Sequence, residues 1–131
     1  MTTATATPPA PHLAALDRAN TLRQGMAERK RELKALDSRA SLLLAADWLD
    51  EQNTPAPDEM VARMRLEQLL GSITRFGPAR SRRVIGRIGT PGMLIRRIGP
   101  RDVCYGSPPS LTALQRAALA NELRRCAARL P

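Results

Sequence analysis

Residues 63–89 read RMRLEQLLGSITRFGPARSRRVIGRIG, two helical patterns joined by a short connection that contains glycine. Asp58 can cap a short helix that leads into Val61–Leu70, because a carboxylate accepts hydrogen bonds from the free N–H groups of a first helical turn. The second helix, Pro78–Ile88, begins with a proline directly after a glycine. Proline suits this position because its missing N–H needs no partner there. The sequence therefore predicts a helix–hairpin–helix type of unit.

The segment from Val61 to Arg101 concentrates the positive charge of the chain. It holds ten arginines and one acid, Glu67, so its local charge of +9 equals the formal net charge of all 131 residues. Residues 1–60 hold seven basic and nine acidic residues, and residues 102–131 hold four and two. Like charges at this density repel one another, so the sequence indicates an anionic partner, most simply a nucleic acid backbone. An arginine surface that serves only solubility is the competing interpretation.

Three arginines of the second helix are expected to share one face. At about 100° per residue, Arg80, Arg83 and Arg87 fall within about 60° of each other, and Arg82 lies on the far edge of the neighbouring apolar arc. The N-terminus of the helix, a ready phosphate site, lies beside this row. The residues expected to contact DNA are Arg75, Gly77, Arg80, Arg82, Arg83 and Arg87, with Arg96, Arg97 and Arg101 on a second run of phosphates.

The first part of the chain is predicted to form a tail and two helices. Residues 1–12 are rich in Thr, Ala and Pro, which is typical of a disordered tail. A helix is expected over 13–36, with an apolar stripe at helical spacing. Asp37 or Ser38 would cap the next helix, which runs from Arg39 to about Gln52. The stripe of the first helix comprises Ala15, Ala19, Leu22, Met26, Leu33 and Leu36.

A basic cluster lies on the later half of the first helix. It consists of Lys30, Arg31 and Lys34. These side chains either form a solvated face paired with Glu28 and Glu32, or make an auxiliary contact with DNA. Pairing between residues three or four apart is common on helix surfaces, so both interpretations stay open at this stage.

The remaining segments complete an all-α prediction. Residues 53–57 are a linker by composition, 93–98 are expected to form a short further turn of helix, and 99–110 a surface loop. Ser110 would cap a last helix that ends near Leu130. The chain has only three aromatic residues, so its core must be aliphatic, which favours packed helices. We expect a tail (1–12), N-terminal helices (13–52) and a DNA-binding domain (53–131).

The segment from Arg63 to Gly89 resembles the central segment of the actinobacterial integration host factor family. The family pattern, of the type K-M-K-V-x-x-L-L-x-x-L-P-G-V-G-K-x-x-A-x-x-I-M-x-x-L-G, aligns with it without a gap. Further on, Arg96-Arg97-Ile98 is similar to the family's R-R-V, and Leu111–Leu119 to its L-G-x-x-Q-R-x-x-L. Upstream, Ala27–Lys34 resembles the end of the family's long N-terminal helix. Together these segments lie within residues 27–125.

This resemblance implies a long N-terminal helix packed on a helix–two-turns–helix domain. It also implies a nucleoid-associated protein that binds and bends duplex DNA with little sequence preference. The family's phosphate-contacting turn falls on Arg75, Phe76 and Gly77, and its basic pair on Arg96 and Arg97. One glycine and the lysine of the family's turn are absent, and Pro78 removes a backbone donor. A divergent, phage-encoded paralogue fits these departures, with arginines that compensate by charge.

Other classes of function are weighed against this one. An enzyme is not expected, because the single histidine, His12, lies in the tail and the chain has neither a phosphate-loop motif nor a zinc cluster. Cys104 and Cys126 are expected to be free thiols, and no cofactor or metal is predicted. Structured RNA is the rival partner, since the two-turn fold also serves a ribosomal protein. A protein adaptor could use the N-terminal helix or the 99–110 loop.

A cytoplasmic, nucleoid-associated location is expected. The chain has no run of about 20 apolar residues that would cross a membrane, so no membrane partner is predicted.

Overall fold

A computed structural model describes residues 11–98 and 109–131 of the chain. The described part is mostly helical, which confirms the predicted all-α class. Its six helices are α1 (Pro11–Lys34), α2 (Ser38–Glu51), α3 (Glu59–Ala62), α4 (Leu66–Ser72), α5 (Pro78–Ile88) and α6 (Ala113–Ala128). None of these helices combines the length and apolarity that crossing a bilayer requires. Of the tail predicted over residues 1–12, residues 1–10 lie outside the described residues, and the prediction is wrong for Pro11 and His12, which begin α1. Most of the predicted 99–110 loop also lies outside the described residues.

The most extensive helix packing joins α2 to α6. Ala45 and Ala46 of α2 and Ala120 of α6 are fully buried. Small side chains of this kind let two helices approach closely, because less side-chain volume separates their axes. Leu49 of α2 and Leu123 of α6 are also fully buried and belong to the same aliphatic core. The core therefore combines residues from both sides of residue 53, at which the predicted DNA-binding domain begins.

Helix α1 contributes to the core only near its C-terminal end. Leu33 is fully buried, whereas Leu13 and Leu16 are 50% and 53% exposed. Of the predicted stripe, Ala15 is exposed and Leu33 is buried, and the other members are half-buried. Gly25 marks the point of closest approach to α3, because a Cβ there would overlap the sulfur atom of Met60. The N-terminal half of α1 stands outside the apolar core.

Two helix N-caps were predicted at aspartate residues, and both form. The Asp37 carboxylate accepts a hydrogen bond from the Ala40 N–H at 2.8 Å and caps α2. The Asp58 carboxylate accepts one from the Met60 N–H at 2.9 Å and caps α3. Each bond satisfies one of the donors that a first helical turn leaves free.

The predicted helical region Val61–Leu70 is divided into α3 and α4, and Arg65 between them adopts an extended backbone. The Leu66 N–H donates to the Met93 carbonyl at 2.7 Å, and the Ile95 N–H donates to the Met64 carbonyl at 2.9 Å. These main-chain bonds pair the two segments as short strands do. They satisfy donors and acceptors that a continuous helix would have paired internally.

The same pairing shows that the predicted helical turn over 93–98 is wrong. Leu94 instead forms isolated β-bridges with Arg65 and Ser110, and Ile95 is fully buried beside them. The prediction that Ser110 caps α6 is also wrong, because the helix begins only at Ala113. Thr112 caps α6 through a reciprocal pair with Gln115, in which each side chain accepts a hydrogen bond from the other residue's backbone N–H.

Arg116 of α6 ties three segments together from inside the protein. Its guanidinium group donates to Asn53 Oδ1 at 2.7 Å, to the Ile95 carbonyl at 3.1 Å and to the Leu111 carbonyl at 2.6 Å. The residue is only 7% exposed. Burial lowers the pKa of Arg116, and the positive charge of Arg96 lowers it further. All three acceptors are uncharged oxygen atoms. Their hydrogen bonds offset part of the cost of burying the guanidinium group.

Replacement of Arg116 by Ala should destabilise the protein by about 2–4 kcal/mol, because it leaves buried carbonyl groups without donors and opens a cavity. Urea denaturation followed by circular dichroism would measure this. Arg124→Ala is the matched control, since Arg124 lies on the same helix but pairs with Asp47 and Asp50 at the surface. The control should lose about 0–1 kcal/mol. Equal losses in the two variants would contradict the role assigned to Arg116.

Candidate nucleic-acid interface

The connection between α4 and α5 is a turn with two residues of positive φ. Arg75 has a φ of 59° and Gly77 a φ of 82°. Gly77 caps α5 with a ψ of 149°, a backbone conformation that is essentially restricted to glycine. Arg75 takes the left-handed conformation at a cost of about 1–2 kcal/mol. This turn sets the direction of α5. The first residue of α5 is Pro78, as the sequence predicts.

Thr74 anchors this turn to the end of α1. Its hydroxyl oxygen lies 2.9 Å from the Leu33 carbonyl and 2.8 Å from the Leu36 carbonyl, and its N–H donates to Ser41 Oγ at 3.1 Å. The hydroxyl thus meets carbonyl groups that the end of a helix leaves free. The contact holds the C-terminal end of α1 against the turn that begins α5.

One side of α5 packs into the core and the other carries its arginines. Val84 and Ile85 are buried. The bounds of α5 are those predicted from the sequence. Between the arginines, the outer face holds only small residues, Ala79 and Gly86, and both are exposed. A ligand backbone can therefore approach the α5 backbone closely between flanking guanidinium groups. The exposed arginines of α5 are Arg80, Arg82, Arg83 and Arg87.

The arginines of α5 differ in their partners. Arg87 lies 3.5 Å from Glu122 of α6, and Glu122 also pairs with Arg125 at 3.2 Å. The Arg80 guanidinium stands 5.8 Å from the centre of the Phe76 ring, which is a cation–π distance. Within residues 11–98 and 109–131, no carboxylate is in ion-pair distance of the remaining arginines of α5 or of the turn. Those without such a carboxylate are Arg75, Arg80, Arg82 and Arg83.

Some arginines elsewhere in the protein pair with nearby acids. Arg29 donates to Asp58 at 2.8 Å, and this hydrogen bond raises the pKa of Arg29. Hydrogen bonds to Asp50 and Asp47 likewise raise the pKa of Arg124. These two aspartates lie in the C-terminal half of α2. Among the described residues, no group of acidic, histidine or cysteine side chains has the arrangement of a metal site.

Of the three arginines predicted to meet a second run of phosphates, the two that the structure describes, Arg96 and Arg97, are half-buried. Arg96 donates hydrogen bonds to the Gln52 and Thr54 carbonyls. These bonds hold the end of α2 against the segment over 93–98, to which Arg96 belongs. Arg97 is half-buried beside it. Arg101 lies outside the described residues. The geometry gives Arg96 a structural role, and contact of this group with DNA stays a prediction.

The basic cluster of α1 lies close to the α4–α5 turn. Arg31 and Lys34 are exposed and Lys30 is half-exposed. In the part of the chain that the structure describes, no ion pair joins these three residues to Glu28 or Glu32. The Thr74 contacts place the end of α1, and with it this cluster, against the turn. A DNA contact by the cluster remains a prediction.

Arg129 is a residue that the sequence reasoning missed. It lines a cleft between α5 and α6 together with Arg80 and Arg83. Glu122 and Cys126 recur at helical spacing before it, which indicates one shared face of α6. That spacing does not show which helix the face meets. The packing of α6 beside α5 supplies this information.

Comparisons with known proteins give no match: no family model, no curated protein and no solved structure resembles the chain.

Gly77→Ala and Gly86→Ala should change stability in opposite directions. At Gly77 the positive φ of 82° makes any side chain unfavourable, and we expect a loss of about 1–3 kcal/mol. At Gly86 a Cβ would enter open space, and alanine within a helix is favoured over glycine by about 0.5–1 kcal/mol. Urea denaturation of both variants measures the difference. Stabilisation by Gly77→Ala would contradict the turn geometry.

Proposed function

We propose that the protein binds double-stranded DNA without sequence preference, through α5 and the turn that precedes it. The observation that carries this proposal is the exposed set Arg75, Arg80, Arg82 and Arg83, which no carboxylate neutralises within the described residues. Uncompensated guanidinium groups repel one another, and a phosphate backbone relieves that repulsion while it releases counterions. Arg29 and Arg124, by contrast, each pair with a carboxylate.

The outer surface of α5 suits a backbone contact rather than base recognition. Ala79 and Gly86 have small side chains, so the middle of this surface lies close to the helix backbone, with Arg82 and Arg83 on either side. Guanidinium groups bind phosphate oxygens with two parallel hydrogen bonds, and such contacts carry no sequence information. Binding of this kind fixes the position of a duplex without selecting its sequence.

The aromatic residues support a duplex over a single strand. Trp48 is 7% exposed and Phe76 is 3% exposed, so neither offers a surface on which a base can stack. Proteins that bind single strands depend on such stacking. Helical nucleic acid requires only donors placed along its backbone, which the arginines of α5 provide.

The start of α5 adds main-chain donors to this surface. Pro78 has no N–H, and the Ser81 N–H is used by the Gly77 carbonyl at 3.0 Å. The N–H groups of Ala79 and Arg80 precede the first bond of the helix and point away from its body. Together with the positive end of the helix dipole, they favour a phosphate beside Arg75.

The proposal extends to the family that the sequence resembles. Helices α4 and α5 with their turn take the place of the family's two-helix grip, and α1 takes the place of its long N-terminal helix. We propose that the protein is a divergent relative with a helix–two-turns–helix arrangement, which bends or compacts DNA as a nucleoid-associated protein. The phosphate contact of the missing family lysine then passes to Arg75, Arg80 and Arg83.

The double variant Arg80→Ala/Arg83→Ala should bind duplex DNA at least tenfold more weakly, equally across unrelated sequences. The slope of log affinity against log salt should flatten by about 2, because two phosphate contacts are lost. The measurement is fluorescence anisotropy with labelled duplexes of several sequences. Arg18→Ala/Arg23→Ala removes the same charge from the exposed half of α1 and should reduce affinity far less.

Equal losses in the two double variants would show diffuse attraction and contradict the assignment to α5. The same titration with a duplex RNA of matched sequence tests the proposed partner. Weaker RNA binding agrees with the proposal, and tighter RNA binding would contradict it.

A further inference from the structure

The cleft between α5 and α6 brings arginines of two helices together. Its volume is about 260 Å³. The walls carry Arg80 and Arg83 from α5 and Arg129 from α6, and the buried side chains of Val84 and Cys126 form an apolar base. Arginines about 50 positions apart in sequence thus line one partly open cleft.

The charge of this cleft is strongly positive. Its only acidic lining residue among the described residues is Glu122. The Glu122 side chain is 13% exposed and pairs with Arg87 at 3.5 Å and with Arg125 at 3.2 Å. Glu122 is therefore already neutralised by two arginines. In the described segments, no carboxylate lies within ion-pair distance of Arg80, Arg83 or Arg129.

We infer that this cleft binds a compact oligophosphate, with Arg80, Arg83 and Arg129 as its ligands. Three guanidinium groups around one space match several phosphoryl oxygens at once, because each guanidinium can bind two oxygens in parallel. The volume lies below the roughly 300–1,000 Å³ of pockets for drug-sized ligands. That size favours a short phosphate chain over a nucleotide with its base and sugar. The lining also contains no aromatic ring on which a base could stack.

The site overlaps the proposed DNA surface without depending on it. Arg80 and Arg83 belong to both, whereas Arg129 lies only in the cleft and Arg82 only on the outer face of α5. A free oligophosphate would therefore compete with a duplex for two shared arginines. A variant of Arg129 should therefore affect oligophosphate binding, and a variant of Arg82 should affect duplex binding.

The test is isothermal titration calorimetry of the full chain with inorganic triphosphate at low salt, and with orthophosphate for comparison. Triphosphate should bind at least tenfold more tightly than orthophosphate, because it spans several guanidinium groups. Arg129→Ala should weaken triphosphate binding by about tenfold or more, since it removes hydrogen bonds to a charged group. Arg82→Ala removes the same charge and should weaken triphosphate binding less than about threefold. Circular dichroism confirms that both variants are folded.

Two results would overturn the inference: no triphosphate binding by the unchanged protein, or equal losses in Arg129→Ala and Arg82→Ala. Parallel titrations with duplex DNA keep the two proposals apart. Triphosphate binding that is lost in Arg129→Ala supports the cleft even if no duplex binds, in which case the proposed function alone fails. Tight duplex binding with no triphosphate binding overturns the cleft and leaves the proposed function in place. Displacement of duplex by triphosphate supports the overlap of the two sites.

Discussion

The buried guanidinium group of Arg116 is the interaction on which the arrangement of the other segments depends. Its donors reach Asn53, Ile95 and Leu111, three points that are far apart in the sequence. The bond to Ile95 holds the extended segment that pairs with the residues between α3 and α4. The position of α4 in turn sets the turn from which α5 leaves. A charged residue that has no carboxylate partner among the described residues thus supports the helix that carries the proposed function.

The arginines of this protein fall into three physical classes. Arg116 and Arg96 donate to main-chain or amide oxygens of the protein, and Arg29, Arg124 and Arg87 pair with carboxylates. The other arginines of α5 and its turn are exposed and have no carboxylate within ion-pair distance among the described residues. Total charge does not distinguish these classes, because each arginine counts as +1. Packing and partners decide which charges remain available to a ligand.

Local chemistry explains which parts of the fold were predictable from the sequence. The start of α5 follows from Gly77 and Pro78, and the starts of α2 and α3 follow from Asp37 and Asp58, because capping acts within a few residues. The predicted helical turn over 93–98 failed because its main chain pairs with residues about 30 positions earlier. Helical spacing contains no signal for such a partner.

In the candidate site, too, local features were predictable and features that depend on distant residues were not. The arginine row of α5 is a local property and was predicted from helical spacing. Arg129 was missed because its place beside Arg80 depends on how α6 packs against α5. The structural role of Arg96 was missed for a related reason, since its acceptors at Gln52 and Thr54 lie about 40 residues away.

The most direct test of duplex binding by the charged surface is the salt dependence of that binding in the unchanged protein. A labelled mixed-sequence duplex of about 20 base pairs would be titrated by fluorescence anisotropy at several salt concentrations. The proposed contacts predict tight binding and a log–log slope steeper than about −4, which corresponds to at least four or five neutralised phosphates. Weak binding with a flat slope would contradict the account, because the arginines of α5 would then not neutralise a phosphate backbone.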